Sequence, residues 1–533
     1  MRHGIGRLPI VRLDLADLRS WTAATAGGFL LYASFPPLGL WFLAPLGPAL
    51  LIIAVRGRRA RSAFTAGGVF GTAFLAPLIL WLANLGVLPW LALTAVQAVI
   101  FALAALLLPR LTTQPGWPLY TAAWWVALEA IRGRVPLGGF PWGRLAFGQA
   151  DAPYAGWAAV GGGPTLSFAV AFLGSLLVYG LTAWRDGRRP MSAAVGLGTV
   201  VLITAPLTLP APDRSGPSAV VALVQGNAER QRTLEEQARV RGVAKNHARE
   251  TKALADAVRR GDLPRPDVVL WPENSLDGDP ERSPGLGSLV ADSVRELNSP
   301  LLVGALLEAP GGRAYNAGQL WLPGQGPVSW YAKRQLVPFG EYIPARPLLG
   351  RFGALQLVPR DLLPGTSTDP LVAGKVWVGD VICYEIAYDD RVRDTVRAGA
   401  NLLVVQTNNA TYERALQAGQ SEQQLAMARI RAIEYGRAVA LVSTSGVSAI
   451  VAPDGQVLAR LGTWRGGHLV ERVPLVSGLT LSEWLGVWPE VLLAVPALVG
   501  LTLTFRRSRR TPTNPRADAN RPERNKPTTN LLS

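Results

Sequence analysis

Three short stretches place reactive side chains just after apolar runs. They are Leu270-Trp271-Pro272-Glu273-Asn274, Tyr331-Ala332-Lys333-Arg334 and Val381-Ile382-Cys383-Tyr384-Glu385. A carboxylate, an amine and a thiol at three strand ends make a working set, because functional residues on α/β sheets gather where strands give way to loops. A thiol is mostly protonated near neutral pH and needs a base or a positive neighbour to act as a nucleophile. In such a scheme Glu273 takes the proton. Lys333 stabilises the thiolate and then the oxyanion formed by attack on a carbonyl. Attack on an ester leaves a thioester, which an amine opens provided water is kept out.

Each residue also has a plainer reading. Cys383 is the only cysteine in 533 residues, and free cysteines are often just small buried apolar residues. Glu273 reads equally well as a loop carboxylate. Glu341 and Glu385 read as structural ion-pair partners. Lys333 stands out more, since only five of the 53 basic residues are lysines. The three histidines, His3, His247 and His468, lie far apart in sequence and suggest neither a zinc site nor a serine–histidine triad. No metal and no cofactor is expected.

The elements that position these residues fall into two kinds. The chain is 49% hydrophobic and 17% charged, against a usual charged share of about a quarter. Ser20–Val55 and Ser62–Pro109 contain no charged residue, and each run exceeds the roughly 20 residues that one membrane helix needs. Proline and glycine breaks divide the apolar segments into eight helices: Trp21–Phe35, Leu38–Val55, Phe64–Ala83, Trp90–Leu108, Pro118–Ile131, Thr165–Trp184, Met191–Leu209 and Leu485–Phe505. Arginines at 2–19, 56–61, 185–189 and 506–510 then share one side, which the positive-inside rule makes cytoplasmic. Both termini are expected there. Arg132, Arg134 and Arg144, in the connection Arg132–Trp157, break the rule. That connection carries Gly139-Phe140-Pro141-Trp142, which reads either as an interfacial aromatic anchor or as one wall of a site at the membrane surface. The net charge of +16 sits at helix ends rather than in an aromatic-laced basic stripe, so no nucleic-acid partner is expected.

Residues 213–476 alternate strands with helices: strands Val220–Gln225, Asp267–Trp271, Pro300–Leu306, a hairpin Tyr315–Ala332, the strand ending at Cys383, Asn401–Thr407, Ala438–Thr444 and Val447–Ala452. Helices are expected over Ala228–Arg260, Asp390–Arg397 and Ser421–Tyr435. This pattern argues for an α/β sandwich. The expected division is a membrane domain at 1–212, the outer sandwich at 213–476, a last membrane helix with a basic end at 477–510 and a disordered tail at 511–533. The apolar stretch Arg346–Val358 suits a loop that dips into the membrane interface and guides lipid tails.

The Glu–Lys–Cys set, in this order and context, resembles the nitrilase (carbon–nitrogen hydrolase) superfamily. With its added helices, the chain resembles bacterial apolipoprotein N-acyltransferases over about residues 20–505. Phe35-Pro36-Pro37, Gly139-Phe140-Pro141-Trp142, Val224-Gln225-Gly226-Asn227, Trp271-Pro272-Glu273, Lys333 through Pro344, Cys383-Tyr384-Glu385 and Met427-Ala428-Arg429 carry the likeness. The resemblance implies a polytopic α-helical membrane bundle of about eight transmembrane helices bearing an extracytoplasmic α/β nitrilase-like α-β-β-α sandwich. It implies Glu273 as general base, Lys333 as electrostatic stabiliser and Cys383 as nucleophile, with Glu341, Tyr384, Glu385 and Asn408 supporting the site or binding substrate. The implied partners are a phospholipid acyl donor, a diacylglyceryl apolipoprotein acceptor and the lipid bilayer. The protein is expected to be a monomer in the inner (cytoplasmic) cell membrane. The alternative is a membrane-tethered amidase or nitrilase that hydrolyses a carbon–nitrogen bond. Asn409-Ala410-Thr411-Tyr412 departs from the Asp, then Ala or Gly, then Trp-Phe of many relatives. No tryptophan follows Gln225-Gly226-Asn227 as it does in some. Both departures bear on lid residues and substrate preference rather than on the three reactive groups.

Overall fold

The computed structural model describes residues 15–210, 216–228, 242–276, 278–351, 360–413 and 419–508. The tail 511–533, residues 352–359 of the apolar stretch, and residues 229–241 at the start of the expected long helix lie outside the described residues.

The first half is a helix bundle: α1 (Leu15–Ala33), α2 (Leu46–Val55), α3 (Ala60–Leu78), α4 (Val87–Ala105), the short α5 (Leu108–Leu111), α6 (Trp117–Arg132), α7 (Trp157–Arg185) and α8 (Arg189–Thr204). Small residues let these helices approach closely, as is usual where packing rather than hydrophobic burial drives association. A Cβ added at Gly67 of α3 would collide with Phe101 and Ala105 of α4. Helix α7 starts earlier than expected but is interrupted, since Gly161 and Gly162 leave helical geometry and Pro164 follows. Its unbroken part therefore begins close to Thr165. Among the described residues, three stretches are long and apolar enough to cross a membrane: Val87–Leu111, Trp157–Arg185 and Arg189–Thr208. Trp41–Val55 and Trp488–Thr504 are shorter apolar helices. The others fall short because they are brief or dilute their apolar residues with Gly, Ser and Thr.

The described residues of the second half form two six-stranded sheets. Their strands are β1 (Ser218–Gln225), β2 (Val268–Leu270), β3 (Leu301–Ala309), β4 (Arg313–Leu322), β5 (Gly326–Ala332), β6 (Leu371–Ala373), β7 (Val376–Ile382), β8 (Leu402–Thr407), β9 (Val439–Ser443), β10 (Ser448–Val451), β11 (Val457–Leu461) and β12 (Gly467–Pro474). The orders are β12-β1-β2-β3-β4-β5 and β11-β10-β9-β8-β7-β6. Strands β1 to β3 run parallel, as do β7 to β9. Their near-continuous apolar sequences fit strands covered on both faces. Three strands were not expected from sequence: β6, β11 and β12. Strand β12 pairs with β1 along its whole length, but it is only partly buried, and His468 and Arg472 on one face with Glu471 on the other hide the pattern.

The layers follow from the cores. Val221, Leu270, Leu302, Ile382 and Val404 pack between the sheets. Helices α9 (Val243–Arg260) and α10 (Pro284–Leu297) cover the first sheet through Leu254, Val294 and Trp271. After a short α11 (Arg346–Leu349), helices α12 (Asp389–Arg397) and α13 (Gly419–Tyr435) cover the second sheet. The chain closes with α14 (Leu481–Leu485) and α15 (Trp488–Ser508). One continuous apolar cluster runs from Val381, Leu403 and Ile430 into Phe74, Trp142 and Phe147. Sandwich and bundle therefore share a core, and α13 lies between them.

This junction accounts for the arginines that break the charge rule. Arg132 is buried and donates to Gln97 Oε1 (2.7 Å) and to the Trp142 carbonyl (2.9 Å). Arg144 is buried and donates to both Asp389 carboxylate oxygens at 2.6 Å. Arg134 pairs with Glu490 at 2.6 Å. Each guanidinium is held by oxygens of other segments, and Arg144 joins the bundle to the sandwich.

Candidate active site

The ends of β2, β5, β7 and β8 meet at one edge of the sandwich, beside the bundle. Glu273 follows β2, Lys333 follows β5, Cys383 follows β7 and Asn408 follows β8. Glu273 is buried. Its Oε1 accepts from Asn316 Nδ2 (2.7 Å) and Lys333 Nζ (3.2 Å), and its Oε2 accepts from the Asn408 backbone N–H (2.9 Å). Lys333 is 1% exposed and also donates to Glu341 Oε1 at 2.9 Å. Burial alone would lower this ammonium. The carboxylates Glu273 and Glu341 outweigh burial and hold it well above the ordinary lysine range, so it stays a cation.

Cys383 sits at φ +55°, the left-handed region that non-glycine residues avoid at a cost of about 1–3 kcal/mol. Gln424 Nε2 donates to the Cys383 carbonyl (3.0 Å), and Thr407 Oγ1 lies within hydrogen-bond reach of Sγ (3.4 Å). Burial pushes the thiol up to about 12. The Glu273 charge adds to this, while Lys333 and the Thr407 hydroxyl oppose it.

The expected supporting residues divide by role. Glu341 accepts from Lys333, from Asn316 Nδ2 (2.8 Å) and from the Val337 N–H (2.8 Å). Glu385 is completely buried. It accepts the Arg334 and Gln335 N–H groups (2.7 and 2.9 Å), the Tyr331 hydroxyl (2.9 Å) and the Ile382 N–H (2.9 Å). It thus ties the Lys333 segment to the Cys383 strand through hydrogen bonds rather than the ion pair expected of it. Asn408 contributes its backbone, and its side-chain oxygen caps the Ala410 N–H (3.2 Å).

Tyr384 faces the bundle. Its ring stacks on Phe140 (6.1 Å, 27°) and Trp142 (6.2 Å, 20°), and its hydroxyl donates to the Gly139 carbonyl (3.3 Å). Trp142 packs on Trp81 (5.3 Å), and Trp81 packs on Tyr412 (5.1 Å). Gly139-Phe140-Pro141-Trp142 therefore forms an aromatic wall beside the thiol. Gln423 ties that wall down: its Oε1 accepts from Trp142 Nε1 (2.6 Å) and Trp81 Nε1 (3.3 Å), and its Nε2 donates to the Leu78 (3.0 Å) and Pro36 (3.2 Å) carbonyls.

Sequence reasoning missed Asn316, Thr407, Gln423 and Gln424. Asn316 and Thr407 are polar residues in largely apolar strands, and that mismatch was the available signal; Gln423 and Gln424 lie in the polar first turns of α13, where nothing in the sequence marks them. The arrangement offers a base, a lasting cation and a thiol in a poorly hydrated pocket, which suits acyl transfer through a thioester.

Comparison with known proteins agrees. Residues 27–176 match the apolipoprotein N-acyltransferase N-terminal domain and residues 220–477 the carbon–nitrogen hydrolase domain. An apolipoprotein N-acyltransferase of Mycolicibacterium smegmatis is 36% identical over 511 residues, covering 90% of this chain and 84% of the relative. One of Azotobacter vinelandii is 31% identical over 525 residues, covering 93% and 97%. A solved amidase of the nitrilase superfamily from Nesterenkonia AN1 overlaps 51% of this chain and 94% of its own, at 18% identity and a TM-score of 0.35. The chain belongs to the apolipoprotein N-acyltransferase family.

Proposed function

We propose that the protein is a membrane acyltransferase that moves an acyl chain from a phospholipid to the N-terminal amine of a diacylglyceryl-cysteine on an apolipoprotein. The observation that carries this reading is the gathering of Glu273, Lys333 and Cys383 against the bundle, in a chain whose relatives bear that name. Cys383 gives its proton to Glu273 and attacks the ester carbonyl, whose oxyanion Lys333 stabilises. The tetrahedral intermediate collapses, the lysophospholipid alcohol leaves with the proton held by Glu273, and the acyl group stays on sulfur. The acceptor amine then attacks the thioester and Glu273 takes the amine proton. The new amide departs, and the thiol regains a proton. Glu341 keeps Lys333 in place, Glu385 sets its segment against the Cys383 strand, and the aromatic wall keeps water from the thioester. The names of the relatives favour transfer to an amine over hydrolysis by a tethered amidase.

The membrane placement belongs to the same reading. Residues 1–212 carry seven crossings and 477–510 the eighth, with both termini cytoplasmic and the sandwich at 213–476 outside. Apolar side chains left exposed on α4, α8 and α15, such as Leu103, Leu197 and Leu498, support a lipid-facing surface. Leu348, exposed in the described part of the apolar stretch, would meet the lipid tails.

The test is mass spectrometry after incubation with phospholipid, which is expected to show one acyl adduct on Cys383. Release by a diacylglyceryl peptide amine should outpace release by water. Acyl transfer that persists in Cys383→Ala would overturn the assignment.

A further inference from the structure

We propose that Thr407 is a further catalytic residue, a hydroxyl that serves Cys383 Sγ in both its protonation states by turning its single proton. The proposal rests on Cys383 being the nucleophile, as argued above.

Thr407 ends β8 and is completely buried, as is Gln424 of α13. Its Oγ1 lies 3.4 Å from Cys383 Sγ and 3.1 Å from Gln424 Oε1. A hydroxyl has one proton to donate and two lone pairs, so Thr407 donates to one of these acceptors at a time. The neighbours settle which way the Gln424 amide points. Its Nε2 donates to the Cys383 carbonyl (3.0 Å), and its Oε1 accepts from Asn409 Nδ2 (3.0 Å). Asn409 is oriented in turn, because turned over it would set its Oδ1 against Gln424 Oε1; as it stands, that Oδ1 accepts from Ser443 Oγ (2.6 Å). Turning Gln424 over would set carbonyl against carbonyl and amino group against amino group. Gln424 Oε1 therefore always presents an acceptor to Thr407.

Two arrangements follow. While Cys383 is a thiol, Thr407 donates to Gln424 Oε1 and shows sulfur a lone pair. When the S–H proton passes to Glu273, Thr407 turns its own proton from Gln424 Oε1 to the thiolate and neither gains nor loses one. Gln424 Oε1 keeps its bond from Asn409, so the rotation leaves no buried acceptor unsatisfied. The thiolate gains a charge-assisted hydrogen bond at the moment it forms. Such help is needed, because burial disfavours this thiolate. On protonation or acylation of sulfur, the hydroxyl swings back.

The experiment follows alkylation of Cys383 by iodoacetamide against pH in the full-length protein, alongside acyl-adduct formation from phospholipid. Thr407→Val keeps the shape and removes the hydroxyl. It is expected to slow alkylation about tenfold or more at every pH between 7 and 9, where the thiolate is the minor form. Adduct formation should slow in parallel, while thermal unfolding stays near wild type. Thr407→Ser, which restores the hydroxyl, should bring the profile back. An unchanged Thr407→Val profile, or a serine variant that behaves like valine, overturns the role of Thr407. If Cys383 still acquires the acyl group in that case, the nucleophile assignment stands. If Cys383→Ala retains acyl transfer, the nucleophile assignment itself fails.

Discussion

Helices α9 and α13 cover opposite outer faces of the same sandwich, and they treat polar residues in opposite ways. Helix α9 buries Val243, Ala244, Leu254 and Ala255 and turns Lys252, Arg259 and Arg260 outward. Its ion pairs, such as Arg259 with Glu296 at 3.1 Å, are exposed. Helix α13 buries Met427 and Ile430 together with Gln420, Gln423, Gln424, Arg431 and Glu434. Its second face meets the bundle rather than water, so its polar groups are used up in hydrogen bonds and ion pairs. An amphipathic pattern marks where a helix changes neighbour, and it does not say whether that neighbour is water.

The sharpest way to break this contrast is to remove an arginine from each helix. Arg431 is completely buried. It pairs with Glu434 (2.5 Å) and Asp389 (2.8 Å), donates to the Ile386 carbonyl (2.9 Å) and lies over the Phe147 ring (5.3 Å). Arg431→Met keeps most of the volume but leaves two acids short of a cation. A loss of about 3–5 kcal/mol is expected, read as a lower thermal midpoint in detergent together with lost acyl transfer. A midpoint within a degree or two of wild type would show that the junction tolerates an uncompensated charge.

A middle-sized effect belongs to the one histidine under α9. His247 is buried, its Nδ1 lies 2.8 Å from the Val243 carbonyl, and its ring packs on Trp271 (5.5 Å). Burial lowers its pKa to about 4. Above the unfolded value, about 6.5, both states are neutral and nothing is lost. As pH falls from there towards 4, the unfolded chain takes a proton that the folded one refuses, so stability falls. The slope is at most about 1.4 kcal/mol per pH unit. Unfolding of wild type and His247→Gln between pH 4 and 7 should show a difference that turns against wild type on the acid side. A difference that stays flat would remove His247 as its source.

The smallest effect is on the outer face of α9. Arg259→Ala removes exposed pairs and should leave both the thermal midpoint and the acyl-transfer rate unchanged within error. A clear drop would mean that α9 meets a neighbour of its own and would erase the contrast with α13.

Much of this architecture was legible in the sequence because its signals are local. Long charge-free runs broken by Pro and Gly marked the helices of the bundle, and apolar runs ending in Glu273, Lys333 and Cys383 marked the strands and the residues that follow them. Strand β12 was not legible, because an edge strand that is only partly buried carries charge on both faces. Nor was the pairing role of Glu385, because its donors, Arg334, Gln335, Tyr331 and Ile382, come mainly from a segment some fifty residues away.

The sequence by itself determined which residue types stand at the strand ends, since strand periodicity and turn chemistry act over a few neighbouring positions. Only the tertiary structure decided what those residues touch. Asn316 joins Glu273 to Glu341, Gln424 orients both the Cys383 carbonyl and Thr407, and Arg144 finds Asp389 across 245 positions of chain. Such contacts form because a buried polar group must find a partner wherever the fold brings one, and no local pattern records which partner that is.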